Sequence, residues 1–302
     1  MTNLNLLFHK IYYDKIGTND FKRAVEENNK KIFDVTFVNS EDFLKCELPD
    51  VLCIRMKTKY PGLLIGTGYS HGSGRADDDI KCGFSFDYVS GQPYIPGSSV
   101  KGILRSIFKD HPDAIAEIIS TITSSENIST KAVTNLESNI FDSGDVFLDA
   151  VLYDGNNQNK ILGEEYITPH SNSIKNPIPI HIMKVLPDVR FEFRFIVSDF
   201  SEEEFVFTKN QKINLFKTLL ELFGIGAKTN VGFGALIYDN SKPHVRAPQQ
   251  PDPQTNKNNG SYRFTSPVPR VSCPKCNYSN YKFRQDGVTK NSKCKQCGTS
   301  LP

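Results

Sequence analysis

The sequence predicts an α+β body that is followed by a small, separate module at the C-terminus. Three observations support this prediction: a strictly alternating apolar run at 189–197, an amphipathic helical stretch on either side of it, and two Cys-x-x-Cys pairs near the end of the chain. At 302 residues the chain is long enough for one large domain or two smaller ones. We assign 1–240 to the body, 241–270 to a linker and 271–302 to the module.

The strand pattern is clearest in VRFEFRFIV, where apolar residues from Val189 to Val197 alternate with Arg190, Glu192 and Arg194. Such alternation predicts a strand with one face in the core and the charged face directed outward. Less regular apolar patterns predict further strands in FDVTFV (33–38), VLCIRMKTKYPGLL (51–64) and GDVFLDAVLYDG (144–155).

The first amphipathic helix follows a Pro-Gly turn, and Ser98 or Ser99 is its expected N-cap. Lys101 and Arg105 are four residues apart and share the face opposite the apolar one. A helix N-terminus with serine hydroxyls and a nearby lysine can bind an anion, whereas a capped helix with a solvated basic face is the plainer alternative. The apolar stripe of this helix consists of Val100, Ile103, Leu104 and Ile107.

The second amphipathic helix is predicted over 213–223 and ends at Gly224, where a glycine-rich loop leads into a strand at 233–238. Glycines let backbone N–H groups approach a phosphate, and Lys228 adds a positive charge. The alternative is a turn that only lets the helix pack tightly on a sheet. A nucleotide-binding P-loop is disfavoured, because here the helix precedes the loop and Ala227 stands before the lysine.

In chain order these elements read strand, long loop, helix, strand, strand, helix, glycine-rich loop and strand. This βαββαβ order is typical of ferredoxin-like and RNA-recognition-motif folds. We therefore predict a body of that class with insertions. One insertion is the stretch at 120–140, which is rich in Ser, Thr and Asn and is either irregular or helical.

The long loop before the first helix, IGTGYSHGSGRADDDIKCGF (65–84), carries two kinds of candidate functional residue. His71 and Arg75 could contact phosphate. The consecutive carboxylates of Asp77, Asp78 and Asp79 could hold Mg²⁺ for cleavage of a phosphodiester. An exposed, solvated loop accounts for the same residues without any function.

The charge is unevenly distributed along the chain. Residues 241–302 contain eleven basic and two acidic residues, a net charge of +9, whereas the remainder contains 25 basic and 32 acidic residues, a net charge of −7. This tail favours a polyanionic or acidic partner, and its six prolines before residue 271 mark an extended linker. The N-terminal apolar run has three residues, too few for a signal peptide or a membrane span, so we expect a cytoplasmic protein.

Four cysteines near the C-terminus have the spacing of a zinc ribbon. Cys273 and Cys276 form one Cys-x-x-Cys pair, and after seventeen intervening residues Cys294 and Cys297 form another. A segment of this size buries little core, so a structural zinc ion would supply its folding free energy. A redox dithiol is the alternative. The cysteines without motif spacing are expected to be reduced, packed thiols: Cys46, Cys53 and Cys82.

Three stretches, in their order along the chain, resemble the RAMP superfamily of CRISPR proteins. They are PYIPGSSVKGILRS (93–106), FDSGDVFLDAVLY (141–153) with the following ITPH (167–170), and GIGAKTNVGFGAL (224–236). Within that superfamily they are most similar to subunit six of the Cmr, or type III-B, effector complex, which the N-terminal NLNLLFHKIYY (3–13) also resembles.

This resemblance implies a non-enzymatic subunit that binds the 3′ part of the CRISPR guide RNA. Its expected neighbours are other RAMP subunits, namely the backbone subunit and a terminal subunit, with target RNA nearby. Two groups of residues would contact guide phosphates, one from the helix start and one from the glycine-rich loop. They are Ser98, Ser99, Lys101 and Arg105, and Gly226, Lys228, Thr229 and Asn230.

Two other functions fit the same sequence. The first is a metal-dependent RAMP endoribonuclease that uses the carboxylates of Asp77, Asp78 and Asp79. The second is a scaffold that binds only proteins and whose glycine-rich loop serves packing. The guide-binding hypothesis requires that the helix start and the glycine-rich loop, more than 100 residues apart, meet in space.

Overall fold

The computed structural model divides into two compact units, Met1–Val245 and Arg246–Pro302. It describes residues 3–14, 18–37, 49–65, 79–80, 83–125, 128–168, 179–202, 205–241, 270–272 and 279–281. The α-helices of the N-terminal unit are α1 (Leu4–His9), α2 (Phe21–Phe33), α3 (Gly97–Asp110), α4 (Pro112–Thr123), α5 (Thr130–Asp142) and α6 (Lys209–Phe223). Its strands are β1 (Val51–Thr58), β2 (Tyr94–Ile95), β3 (Val146–Phe147), β4 (Ala150–Asp154), β5 (Leu162–Ile167), β6 (Ile180–Val185), β7 (Arg190–Ile196), β8 (Phe200–Glu202), β9 (Phe205–Phe207) and β10 (Leu236–Tyr238).

The main sheet is antiparallel and has the strand order β10-β1-β7-β4-β2, with β3 paired to the end of β7. Strands β1 and β4 both pair with β7, so β7 lies between two strands that run parallel to each other. Without its edge strand β2, this is the order of a βαββαβ ferredoxin-like sheet, in which the third strand inserts between the first two. The predicted fold class of the body is therefore confirmed.

The core lies between this sheet and the helices. Phe191, Phe193 and Phe195 of β7 are fully buried, as the alternation predicts. Helices α3 and α6 contact each other and strands of the sheet, while α4 and α5 pack on that pair. The segment at 120–140 is thus mostly helical. Helix α6 begins at a Thr208 capping box and ends at Gly224, and its most buried side chains are Lys212, Leu215, Phe216, Leu219 and Leu220.

Several strand predictions are wrong in part. The described residues 33–37 do not form a strand, because α2 runs through Phe33 and only an isolated bridge joins Thr36 to Lys160. The strand predicted over 51–64 ends at Thr58, and its Cys53 is exposed rather than packed. The strand predicted over 233–238 begins at Leu236. The single strand predicted over 144–155 is two strands, β3 and β4. Leu148 and Asp149 separate them: the Leu148 N–H still donates to the Arg194 carbonyl of β7, and the Asp149 carboxylate accepts the Gly97 N–H at the start of α3.

The C-terminal unit contains a pair of antiparallel strands, β11 (Arg270–Ser272) and β12 (Ser279–Tyr281). In the sequence these strands flank the first Cys-x-x-Cys pair. Among the residues that the structure describes, no helix is long and apolar enough to cross a membrane.

Candidate nucleic-acid interface

The N-cap of helix α3 lies two or three residues before the predicted N-cap, Ser98 or Ser99. Pro96 occupies the N-cap position without a side-chain cap, so the prediction of Ser98 or Ser99 as N-cap is wrong. The first helical amide, that of Gly97, donates to the Asp149 carboxylate at 2.7 Å. Because an aspartate from another segment caps the helix, the hydroxyls of both serines remain exposed in the first turn.

Gly97 is required by close packing at this position. A Cβ atom there would lie 2.1 Å from the carbonyl oxygen of Phe147 in β3. Any side chain would therefore push the helix start away from the sheet. This close approach fixes the position of the exposed serines relative to β3.

The glycine-rich loop is held by backbone hydrogen bonds, one within the loop and two to the segment that follows β1. The Ile225 N–H donates to the Gly234 carbonyl at 3.0 Å, the Gly234 N–H donates to the Gly62 carbonyl at 2.8 Å, and the Ala227 N–H donates to the Leu64 carbonyl at 2.7 Å. These three amides are therefore not available to a ligand. The alternative in which the loop only serves the packing of the helix on the sheet is thus correct for these three residues.

Between these anchored points the segment 226–231 is exposed. Gly226 has a φ of 94°, and a Cβ atom there would lie 2.3 Å from the Leu64 carbonyl oxygen. Lys228 adopts a left-handed conformation with a φ of 59° and precedes a short 3₁₀ turn, Thr229–Val231. Lys228, Thr229 and Asn230 thus project from a loop whose base is fixed by hydrogen bonds.

The helix and the loop meet in a cleft of about 410 Å³. On the helix side, residues 99, 102, 103 and 106 share one face, and Gly102 leaves open space because no atom lies within 4 Å of its missing side chain. The expected convergence of the two segments is therefore observed for Ser99 and Gly226. The cleft is lined by Ile65, Ser99, Gly102, Ile103, Ser106, Ile225, Gly226 and Ala227.

The two basic residues of α3 lie on a neighbouring face of the helix. The Arg105 guanidinium is 3.0 Å from the Asp142 carboxylate of α5, and the Lys101 ammonium lies 5.8 Å from the ring centre of Phe147. Neither side chain lines the cleft, and Arg105 is already paired with a carboxylate. Lys228 follows a residue of the cleft wall and is the exposed cation next to it on the loop side.

The family model of the RAMP superfamily matches residues 55–237, which include the second half of β1, all of α3, the cleft and most of β10. The chain belongs to the RAMP superfamily.

Solved structures that are similar to this chain include the following two. A chain of the "Cryo-EM structure of the Type III-B Cmr-beta bound to cognate target RNA" shares 22% identity, with a TM-score of 0.47, over 76% of this chain and 78% of that chain. The "Crystal structure of Cmr6 from Pyrococcus furiosus" shares 21% identity, with a TM-score of 0.40, over 63% of this chain and 97% of that chain. No curated protein sequence matches this RAMP chain.

One of the three candidate catalytic acids of this RAMP chain is buried. Asp79 has no exposed surface and accepts a hydrogen bond from the Tyr12 hydroxyl at 3.2 Å. Burial, with the adjacent Asp79 carboxylate, raises the pKa of Tyr12 far above its usual value, so this hydroxyl stays a donor. Asp79 is therefore not part of an exposed acidic loop. Asp77, Asp78, His71 and Arg75 lie outside the described residues.

The outer face of the RAMP sheet is less open than its alternation suggests. Arg190, Glu192 and Arg194 lie opposite the core side of β7 but are buried. Glu192 accepts from Arg55 at 3.1 Å and from Arg194 at 3.0 Å, and Arg190 pairs with Asp239. Because carboxylates neutralise these guanidinium groups, this part of the face is not a free polyanion surface. The alternation predicted on which face of the sheet each side chain lies, but not which residue it pairs with.

The predicted zinc ligands Cys273, Cys276, Cys294 and Cys297 lie outside the described residues. Within the part of the chain that the structure describes, no group of three or more His, Cys, Asp or Glu side chains could hold a metal ion. A structural zinc ion therefore stays a prediction of the cysteine spacing.

Proposed function

We propose that this chain is a non-catalytic subunit of a type III-B CRISPR effector complex and that it holds the backbone of the guide RNA along the α3 cleft. The observation that carries the proposal is the meeting of the exposed α3 turn and the glycine-rich loop in one open cleft. Membership of the RAMP superfamily and the sequence resemblance to subunit six support it.

The chemistry of the cleft suits a sugar–phosphate chain. Ser99 supplies an exposed hydroxyl from the first turn of α3, where the helix dipole favours negative charge. Lys228, Thr229 and Asn230 offer an ammonium, a hydroxyl and an amide from the exposed stretch of loop that follows the opposite wall, Ile225–Ala227. Contacts of this kind bind phosphate and sugar without reading bases, which a subunit that serves guides of many sequences requires.

The proposal also assigns a position in the complex. Following the resemblance, the subunit lies near the 3′ part of the guide and contacts the backbone subunit and a terminal RAMP subunit, with the target RNA close by. The non-catalytic assignment is supported by Asp79, which has no exposed surface and accepts the Tyr12 hydroxyl, so this carboxylate does not face a substrate or solvent.

The cleft is tested by guide binding with Lys228→Ala and, as a matched control, Lys109→Ala at the exposed far end of α3. Loss of one phosphate contact weakens binding similarly for all guide sequences and lowers the slope of log affinity against log salt by about 1. The measurement is fluorescence anisotropy of labelled guide RNA at several salt concentrations. If Lys228→Ala behaves like Lys109→Ala, and Lys228 forms no crosslink to guide RNA in the complex, the scaffold function replaces the proposal.

The ribonuclease function is tested separately in the assembled complex. Asp77 and Asp78 are replaced by alanine and Asp79 by asparagine, because asparagine retains an acceptor for the Tyr12 hydroxyl. We expect unchanged cleavage of target RNA. Loss of cleavage with guide binding intact would show that this subunit is an enzyme.

A further inference from the structure

A second cavity lies beside β2, the strand at one edge of the main sheet. The chain before β2 folds back on it, with the Asp87 N–H donating to the Gln92 carbonyl at 2.8 Å and the Tyr94 N–H donating to the Ser85 carbonyl at 3.0 Å. The tip of this hairpin exposes 83% of Tyr88 and 69% of Val89. Large apolar side chains at such exposure form a surface that a partner can bury.

The hairpin is held rigidly by the N-terminal segment. The Asn3 amide donates to the Tyr88 carbonyl at 3.1 Å, and the Asn5 amide donates to the Phe86 carbonyl at 2.9 Å. Gly91 permits this contact, since a Cβ atom there would lie 2.6 Å from the backbone of Asn3. A surface that is ordered before binding loses less conformational entropy when a partner docks.

The cavity between this hairpin and β4 has a volume of about 440 Å³. Its walls include the aromatic rings of Phe86, Tyr88 and Tyr94 and the carboxylates of Asp87 and Asp149. Among the described residues that line it there is no lysine or arginine. The cavity therefore combines aromatic side chains with two carboxylates and, among its lining residues, no cationic side chain.

Both carboxylates are fixed by hydrogen bonds. Asp149 accepts the Gly97 N–H through one oxygen, Oδ1. Asp87 accepts the amide and hydroxyl of Ser90 at 2.6 and 2.7 Å. Burial works against ionisation of Asp87, but the hydrogen bonds from Ser90, Val89 and Tyr88 together outweigh burial and hold the pKa of Asp87 below its usual value. Asp87 is thus an anion at neutral pH.

The carboxylates that line the cavity favour a positively charged occupant. Two carboxylates repel a phosphate backbone, so this cavity does not extend the guide-binding cleft. A guanidinium group fits better, because it stacks on aromatic faces and forms paired hydrogen bonds with carboxylates. We infer that the cavity receives an arginine side chain from a neighbouring protein subunit, with Tyr88 and Val89 packing on the surface around it. This inference rests on the proposed function for the existence of that subunit.

The recognition chemistry is tested on the isolated full-length chain, without guide RNA, so that it fails or succeeds independently of the cleft. The probes are N-acetyl-arginine amide and its neutral counterpart N-acetyl-citrulline amide, titrated while the backbone amide resonances of Tyr88, Gln92 and Val151 are followed by NMR. We expect the arginine probe to shift these resonances in a saturable way, and the citrulline probe to bind at least about fivefold more weakly.

Variants locate the site. Asp87→Asn together with Asp149→Asn keeps the hydrogen-bond acceptors but removes both charges, and we expect an affinity for the arginine probe that is lower by about tenfold. Asp113→Asn removes an exposed carboxylate from the first turn of α4 and serves as the control without effect. Equal binding of both probes, an equal effect of Asp113→Asn, or tighter binding of guanosine monophosphate would overturn the inference.

The partner is tested in the reconstituted complex with a photoreactive residue, Tyr88→p-benzoylphenylalanine. The expected adduct is to a peptide of another protein subunit, and replacing an arginine of that peptide by alanine reduces the yield severalfold. An adduct to RNA only, or no adduct in a complex that still binds guide, contradicts the assignment of a protein partner.

Discussion

The stability of the fold depends on one buried ion pair that offers a quantitative test. Lys212 of α6 has no exposed surface, and its ammonium lies 2.6 Å from the Asp145 carboxylate and 2.7 Å from the Asn139 side-chain oxygen. The other oxygen of Asp145 accepts the Ser198 amide at 3.0 Å. Replacing Lys212 by methionine keeps most of the volume but leaves a buried, unpaired carboxylate.

Breaking a buried pair in this way costs about 3–5 kcal/mol of unfolding free energy. For a unit of this size the corresponding fall in the melting temperature is roughly 6–20 °C. The measurement is urea and thermal unfolding followed by circular dichroism at neutral pH. Lys209→Met, at the exposed first position of the same helix, provides the matched control and is expected to change the unfolding free energy by less than about 0.5 kcal/mol.

The double variant Lys212→Met with Asp145→Asn separates the charge from the packing. The introduced asparagine side chain is neutral and could still accept the Ser198 amide, so we expect the double variant to recover at least about half of the lost stability. Strict additivity of the two substitutions, or a loss below about 1 kcal/mol for Lys212→Met alone, would refute the assignment of a desolvated ion pair.

Three further outcomes are expected. Gly234→Ala places a Cβ atom 1.9 Å from a facing carbonyl oxygen at a φ of 75°, and we expect it to lower the unfolding free energy by more than about 2 kcal/mol. Gly102→Ala is the control: no atom lies within 4 Å of the added Cβ, so the unfolding free energy stays unchanged or rises. The zinc prediction requires one zinc ion per chain by elemental mass spectrometry, and Cys273→Ser removes it; metal-free protein with four titratable thiols at the C-terminus would contradict it. Burial opposes the ionisation of Asp239, but its hydrogen bonds from Ser241 and Arg190 outweigh burial and hold its pKa below the usual value of 3.8. The stability that this carboxylate contributes is therefore present above pH 3.8 and is lost as the pH falls through the lower pKa of the folded state. Asp239→Asn is accordingly expected to lose less stability than the wild type when the pH is lowered below 3.8 in acid unfolding curves.

The sequence alone identified the features that neighbouring residues encode. The alternation of VRFEFRFIV predicted the central strand and its buried side, because side chains of a strand alternate between its two faces. The end of α6 at Gly224 followed from the conformational freedom of glycine. The order of strands and helices, with the resemblance of three motifs to the RAMP superfamily, predicted the sheet topology that the structure has.

Only the tertiary structure decided how distant residues pair. Asp149 caps α3 from 52 residues away, Asp79 accepts the Tyr12 hydroxyl across 67 residues, and Lys212 meets Asp145 across another 67. A local pattern contains no signal for such pairs, since each depends on the path of the intervening chain. The same limit applies to the candidate interface: the sequence supplied the serine-bearing helix and the glycine-rich loop, and the packing of both on one sheet placed Ser99 beside Gly226 and turned Arg105 toward a carboxylate.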